Sequence, residues 1–144
     1  AAFAVIPLLV TFIPMLTDTG GNAGSQSSTM IIRGMAVGEI EAGDILRVLW
    51  KELRVGIIVG ILLGLVNYIQ LLIRFPGQEM LCLTVVLSLL ATVVIAKTIG
   101  CTLPIIAQIL HLDPAIMAAP LITTIVDAVS LVVYFQLACS LLSI

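Results

Sequence analysis

Two carboxylates stand where carboxylates are costly. Asp18 and Asp127 each lie inside a long apolar run of a 144-residue chain that is 61% hydrophobic and 10% charged. At membrane depth an ionised carboxylate costs on the order of 2.5–3.5 kcal/mol, so it must face a cavity, a partner or an ion. Thr123 and Thr124 precede Asp127 by four and three residues, which on a helix puts hydroxyl and carboxylate oxygens on one face. Around Asp18, residues 17–29 carry no large apolar side chain. On a helix, Asp18, Asn22, Ser25 or Gln26, and Thr29 form one polar stripe. Gly20, Gly21, Ala23 and Gly24 either admit a second backbone closely or bare their carbonyls to a pore. Carboxylate, amide, hydroxyl and carbonyl are hard oxygens, which suit Mg²⁺ or Ca²⁺ and not zinc or copper. The competing arrangement is a protonated Asp hydrogen-bonded between helices.

Soft ligands do not join this set. Cys82, Cys101 and Cys139 lie singly in apolar runs without C-x-x-C spacing, as small core- or lipid-facing residues. His111 falls in a polar connection and reads as an interfacial residue.

The elements that carry these groups follow from charge spacing. A helix crossing about 30 Å of hydrocarbon needs roughly 20 apolar residues. Spans are expected at about 3–33, 55–73, 80–109 and 114–142, in an all-α polytopic membrane protein with a single pore domain. Pro7, Pro14 and Gly20-Gly21 should loosen the first span, and Pro104 should kink the third. Asp113-Pro114 is a good helix start for the fourth, and Pro120 should widen that helix by freeing the Ile116 carbonyl. Between the first two spans, 34–54 is a polar connection. Its residues Ile45, Leu46, Leu49, Trp50 and Leu53 recur at helical spacing, which predicts a short helix lying on the membrane surface.

Mean hydropathy of +1.29 excludes a large soluble enzyme or a disordered chain, and the net charge of −2 argues against a nucleic-acid partner. Residues 1–17 lack the basic start and the small-residue cleavage site of a signal peptide. The chain opens at Ala1 in apolar sequence, which reads as a piece of a longer protein. Arg33, Arg47, Lys51, Arg54 and Lys97 fall on one side of a four-span chain and Arg74 on the other. The positive-inside bias then puts 34–54 in the cytoplasm and both ends outside, in a cell membrane. An intramembrane aspartyl protease would show Gly-x-Gly-Asp, but Asp127 follows Ile125-Val126 and Asp18 follows Leu16-Thr17, so no enzyme is expected.

In order along the chain, Gly20-Gly21-Asn22-Ala23-Gly24-Ser25-Gln26, Arg33-Gly34, Gly38-Glu39-Ile40, and Asp113-Pro114-Ala115 through Pro120 and Thr123-Thr124 to Asp127 resemble the transmembrane domain of the MgtE family of magnesium channels and transporters. The resemblance implies the second to fifth helices of a five-helix domain, with the first helix and a cytoplasmic regulatory domain bearing a CBS pair lying outside this chain. It implies a homodimer in the lipid bilayer, with one pore on the two-fold axis lined by the first and last spans. Asp127 would hold hydrated Mg²⁺ at mid-pore, with the Thr123 carbonyl one turn away. Gly20, Gly21, Asn22 and Gly24 would add oxygens from the facing helix, beside Asp18. Asp113 would sit at the cytoplasmic mouth, where Mg²⁺-dependent closure acts. Mn²⁺, Co²⁺ or Ca²⁺ could share such a site. The alternative is a proton- or sodium-coupled secondary carrier with Asp127 as coupling site; no inverted repeat supports it.

Overall fold

Pro14 decides where the first span breaks. It cannot donate to the carbonyl four residues earlier, and in a computed structural model describing residues 2–117 and 119–142 one helix stops there and another starts. Helix α1 covers Ala2–Thr11 and α2 covers Ile13–Ala36, with Phe12 as the joint. Neither Pro7 nor Gly20-Gly21 ends a helix. Pro7 lies inside α1 and both glycines lie inside α2.

Beyond α2 the chain turns at Gly38, whose φ of +76° suits a residue without Cβ. After a 3₁₀ turn at Ala42–Asp44 it enters α3, Ile45–Arg74. Here the structure corrects the expected surface helix. Residues 45–54 are the first turns of one continuous 30-residue helix, about 45 Å long at 1.5 Å per residue. No Pro or Gly separates the amphipathic segment from the apolar one until Gly56, so nothing stops the helix. Leu46 and Trp50 remain exposed, while Val48 and Glu52 turn inward.

Helix α4 runs Glu79–Ile109 with Pro104 inside it. His111, at φ 57°, takes the left-handed conformation just past its end, and the Leu112 N–H closes back onto the Ala107 carbonyl. A 3₁₀ turn at Pro114–Met117 precedes α5, Ala119–Leu142. The fourth span is therefore a turn and a helix, and Ala118 between them lies outside the described residues. Pro120 stands in the first turn of α5, where its missing N–H disrupts nothing, so the expected widening is not found.

Among the described residues there are no strands. The chain is an all-α polytopic membrane protein. Among the described residues three stretches, Ala42–Arg74, Glu79–Ile109 and Ala119–Leu142, are long and apolar enough to cross a membrane. Helix α2 is 24 residues long but too polar to join them. Helix α4 is the axis of the bundle and packs on α2, α3 and α5. Half of its most apolar stretch is buried within the chain, against 22% for the stretches that contain α3 and α5. An apolar core at one end gathers Leu9, Leu16, Leu89 and Tyr134; another at the far end gathers Ile31, Val48, Cys101 and Ile105. The exposed face of α3, with Ile58, Leu62, Val66 and Ile69, is fit for lipid.

Candidate functional site

The small residues of α2 bring it close to two helices at once. A Cβ added at Gly20 would stand 2.6 Å from Thr92 Cγ2, and one added at Gly24 would stand 2.9 Å from Ile122 Cγ2 and 3.2 Å from the Ala96 carbonyl oxygen. A Cβ at Gly100 would collide with the Gly24 carbonyl. Gly20 and Gly24 thus face the seam with α4 and α5, where only a hydrogen fits.

Gly21 points elsewhere. A Cβ there would lie 3.1 Å from Thr123 Cγ2 and 3.9 Å from Asp127 Oδ1. This is the floor of an open groove of about 390 Å³ between α2 and α5, lined by Pro14, Thr17, Asp18, Gly21, Asn22, Thr123 and Asp127. The structure so brings together five of the eight site residues singled out by sequence: Asp18, Gly21, Asn22, Thr123 and Asp127. It leaves Gly20 and Gly24 in the seam behind. Asp113 lies apart, exposed in the turn after α4, where its Oδ1 accepts the Ala115 N–H at 2.9 Å and caps the 3₁₀ turn.

The groove is rich in acceptors. Thr123 Oγ1 donates to the Pro120 carbonyl at 3.0 Å, and Thr17 Oγ1 donates to the Ile13 carbonyl at 3.1 Å. With their protons committed to the helix, both hydroxyls present lone pairs outward. Two carboxylates and the Asn22 amide complete the set, and none of the lining residues is basic. Among the described residues no three His, Cys, Asp or Glu side chains gather into a chelating cluster. Such an arrangement suits a cation that keeps its water shell, with oxygens accepting from coordinated waters.

Sequence reasoning missed a second charged site. Lys97 counted only toward the charge of one membrane side, yet it lies inside α4 and is 4% exposed. Its Nζ stands 3.4 Å from Glu52 Oε2 and donates to Ser27 Oγ at 3.1 Å; Ser27 Oγ in turn donates to Glu52 Oε2 at 2.6 Å. Glu52 is 5% exposed. One residue each from α2, α3 and α4 therefore closes a triangle. The available signal was Lys97 itself, the lone charge between Glu79 and Asp113. A second omission is Tyr134, buried in α5, whose hydroxyl donates to the Leu9 carbonyl at 2.8 Å beside the α1–α2 joint.

Residues 13–137 match the model of a family named MgtE and described as a divalent cation transporter. The chain is 34% identical over 137 residues to a magnesium transporter MgtE of Thermus thermophilus and 36% identical over 137 residues to one of Bacillus subtilis. It is 29% identical over 131 residues to one of Enterococcus faecalis. These matches cover 95%, 95% and 91% of this chain but 30%, 30% and 29% of the relatives. The chain thus spans about three-tenths of the length of the curated relatives it matches.

Proposed function

The chain belongs to the MgtE family of divalent cation transporters, and from that premise we propose that its α2–α5 groove is one wall of a pore for hydrated Mg²⁺. The observation that carries the reading is the groove's charge. Asp18 and Asp127 line it with Asn22 and Thr123, and no basic side chain lines it with them. In hydrocarbon that imbalance is unfavourable, and a mobile dication removes it.

In this reading α2 crosses the membrane as a fourth span, its polar stripe facing the groove and not lipid. Two protomers meet across a two-fold axis and turn their grooves toward each other, so that Asp127 from each side flanks the ion. Two formal negatives balance a +2 charge where the dielectric is low. Mg²⁺ sheds water reluctantly, so the acceptors bond its coordinated waters instead of the ion itself. Size discrimination then follows from the fixed spacing of Asp127, Thr123 and Asn22. The turn between α2 and α3, with the first turns of α3, faces the cytoplasm, in a plasma or inner membrane. Four basic residues, Arg33, Arg47, Lys51 and Arg54, still lie on that side against Arg74 on the other. Asp113 stands at the same side, where a cytoplasmic regulatory domain would act on it.

The test is Mg²⁺ influx into liposomes bearing the full-length protein. Asp127→Asn keeps side-chain size and removes the charge. A charge-assisted hydrogen bond contributes about 1.5–3 kcal/mol, so influx should fall by at least about tenfold while the protein remains folded. Unchanged influx in Asp127→Asn would refute the pore reading. Influx that needs a pH or sodium gradient would favour a coupled carrier.

A further inference from the structure

The groove works only if α2 is turned the right way, and a helix of small residues has few bulky side chains to hold its rotation. On α2, residues 18 and 27 are nine apart, which at about 100° per residue puts them on opposite sides of the helix. Asp18 is exposed toward the groove; Ser27 is fully buried on the far side. There its hydroxyl is gripped by Glu52 of α3 at 2.6 Å and by Lys97 of α4 at 3.1 Å.

We propose that Glu52 and Lys97 are positioning residues for transport: through Ser27 they hold α2 in the rotation that presents Asp18 and Asn22 to the groove. The inference rests on the pore reading for its consequence, though its geometry stands apart from it. Apolar packing alone would hold α3 against α4, because Gly56 and Gly60 of α3 already sit against Val94 and Leu90 of α4. A buried ion pair adds little net stability to such a contact. It adds direction. The two charges fix a point in space, and the Ser27 hydroxyl reaches both of them in one rotation of α2. Gly20 and Gly24 permit close approach and already disfavour large turns of α2, and the polar pin on the same side adds a directional contact that sets the rotation finely.

Ser27→Ala cuts α2 from the pin and leaves the Glu52–Lys97 pair in contact. The readout is thiol labelling of Ile31→Cys by a membrane-impermeant maleimide in the full-length protein. Ile31 is a buried α2 residue one turn from Ser27. Cys101→Ala and Cys139→Ser remove two native thiols, and buried Cys82 stays as an internal control for general loosening. Labelling of a buried thiol tracks the population of the turned state. Loss of one net hydrogen bond of about 1 kcal/mol raises that population about fivefold. The expected result is about fivefold faster labelling at Ile31→Cys, an unchanged rate at Cys82, and restoration by Ser27→Thr, which keeps the hydroxyl. In flux, Ser27→Ala should also narrow the preference for Mg²⁺ over Ca²⁺. Equal labelling with and without the Ser27 hydroxyl overturns the proposal, as does faster labelling at Cys82 in step with Ile31→Cys. If labelling changes as expected but the unmodified protein passes no Mg²⁺, the pin holds and the pore reading is what fails.

Discussion

Helix α2 has two charged neighbourhoods, and they solve the same problem in opposite ways. On its buried side, Glu52 and Lys97 cancel each other and Ser27 satisfies both. On its exposed side, Asp18 and Asp127 line one groove with no basic partner. Both sit in an apolar setting that penalises charge. A charge matched inside the fold is structural, because nothing mobile is required to stabilise it. A charge left unmatched beside open space is available to something that arrives. In the proposed reading, the difference gives architecture to one face of the helix and transport to the other.

The sharpest way to break that division is to unbalance the matched site. Lys97→Met leaves Glu52 buried without a counter-charge, which costs about 3–5 kcal/mol. Unfolding in detergent should shift to much milder conditions. Adding Glu52→Gln to Lys97→Met should recover most of the loss, because a buried pair is often worth no more than a neutral replacement of similar volume. If the double variant is as unstable as the single one, the pair is stabilising in itself and the contrast with the groove weakens.

Two glycines three residues apart test the same division at smaller scale. Gly24→Ala puts a methyl 2.9 Å from Ile122 Cγ2 and 3.2 Å from a backbone carbonyl, and backbone cannot yield cheaply. Overpacking of this kind costs about 1–3 kcal/mol. Gly21→Ala meets one tight neighbour, the Thr123 methyl at 3.1 Å, with its other neighbours at ordinary contact distance, beside open space. Its strain is set against the roughly 1 kcal/mol that Ala gains over Gly in a helix. Thermal unfolding should separate the two, with Gly24→Ala clearly destabilised and Gly21→Ala close to the unmodified protein. Influx should fall in Gly21→Ala even so, since its methyl enters the groove. Equal stability losses at both positions would mean that the two faces are not distinct.

What could be read without coordinates was what repeats along one helix. The 3.6-residue period put Asp18 and Asn22 on a single stripe and Thr123 beside Asp127, and these residues share the groove. Helix breaks were less legible, because Pro7, Pro14, Pro104 and Pro120 look alike in sequence while their effects depend on place. Only Pro14 coincides with a break; Pro120 falls in a first turn where its missing N–H is harmless. The short surface helix expected within 34–54 was misread because amphipathicity signals a solvent-facing side without saying whether the helix ends. Least legible were contacts between helices. Glu52 and Lys97 are 45 residues apart, and each alone looks like the polar edge of a span. The split of the glycines, Gly21 to the groove and Gly20 with Gly24 to the seam, depends on which helix lies on which side.

Tyr134 carries the smallest expected effect and probes a polar contact that involves no charge. Its hydroxyl donates to the Leu9 carbonyl at 2.8 Å, where α1 stops. That carbonyl also accepts the Phe12 N–H at 3.2 Å. Tyr134→Phe therefore orphans nothing: the ring stays packed, Leu9 keeps one partner, and only one net hydrogen bond is lost. The cost should be about 0.5–1.5 kcal/mol, seen as a small shift in thermal unfolding. Magnesium influx should be unchanged, because the bond lies in the apolar core with Leu9, Leu16 and Leu89 and not in the groove. A loss of influx larger than the loss of stability would show that the α1–α2 joint governs the groove, and the line drawn between the matched and the open face of α2 would have to move to include it.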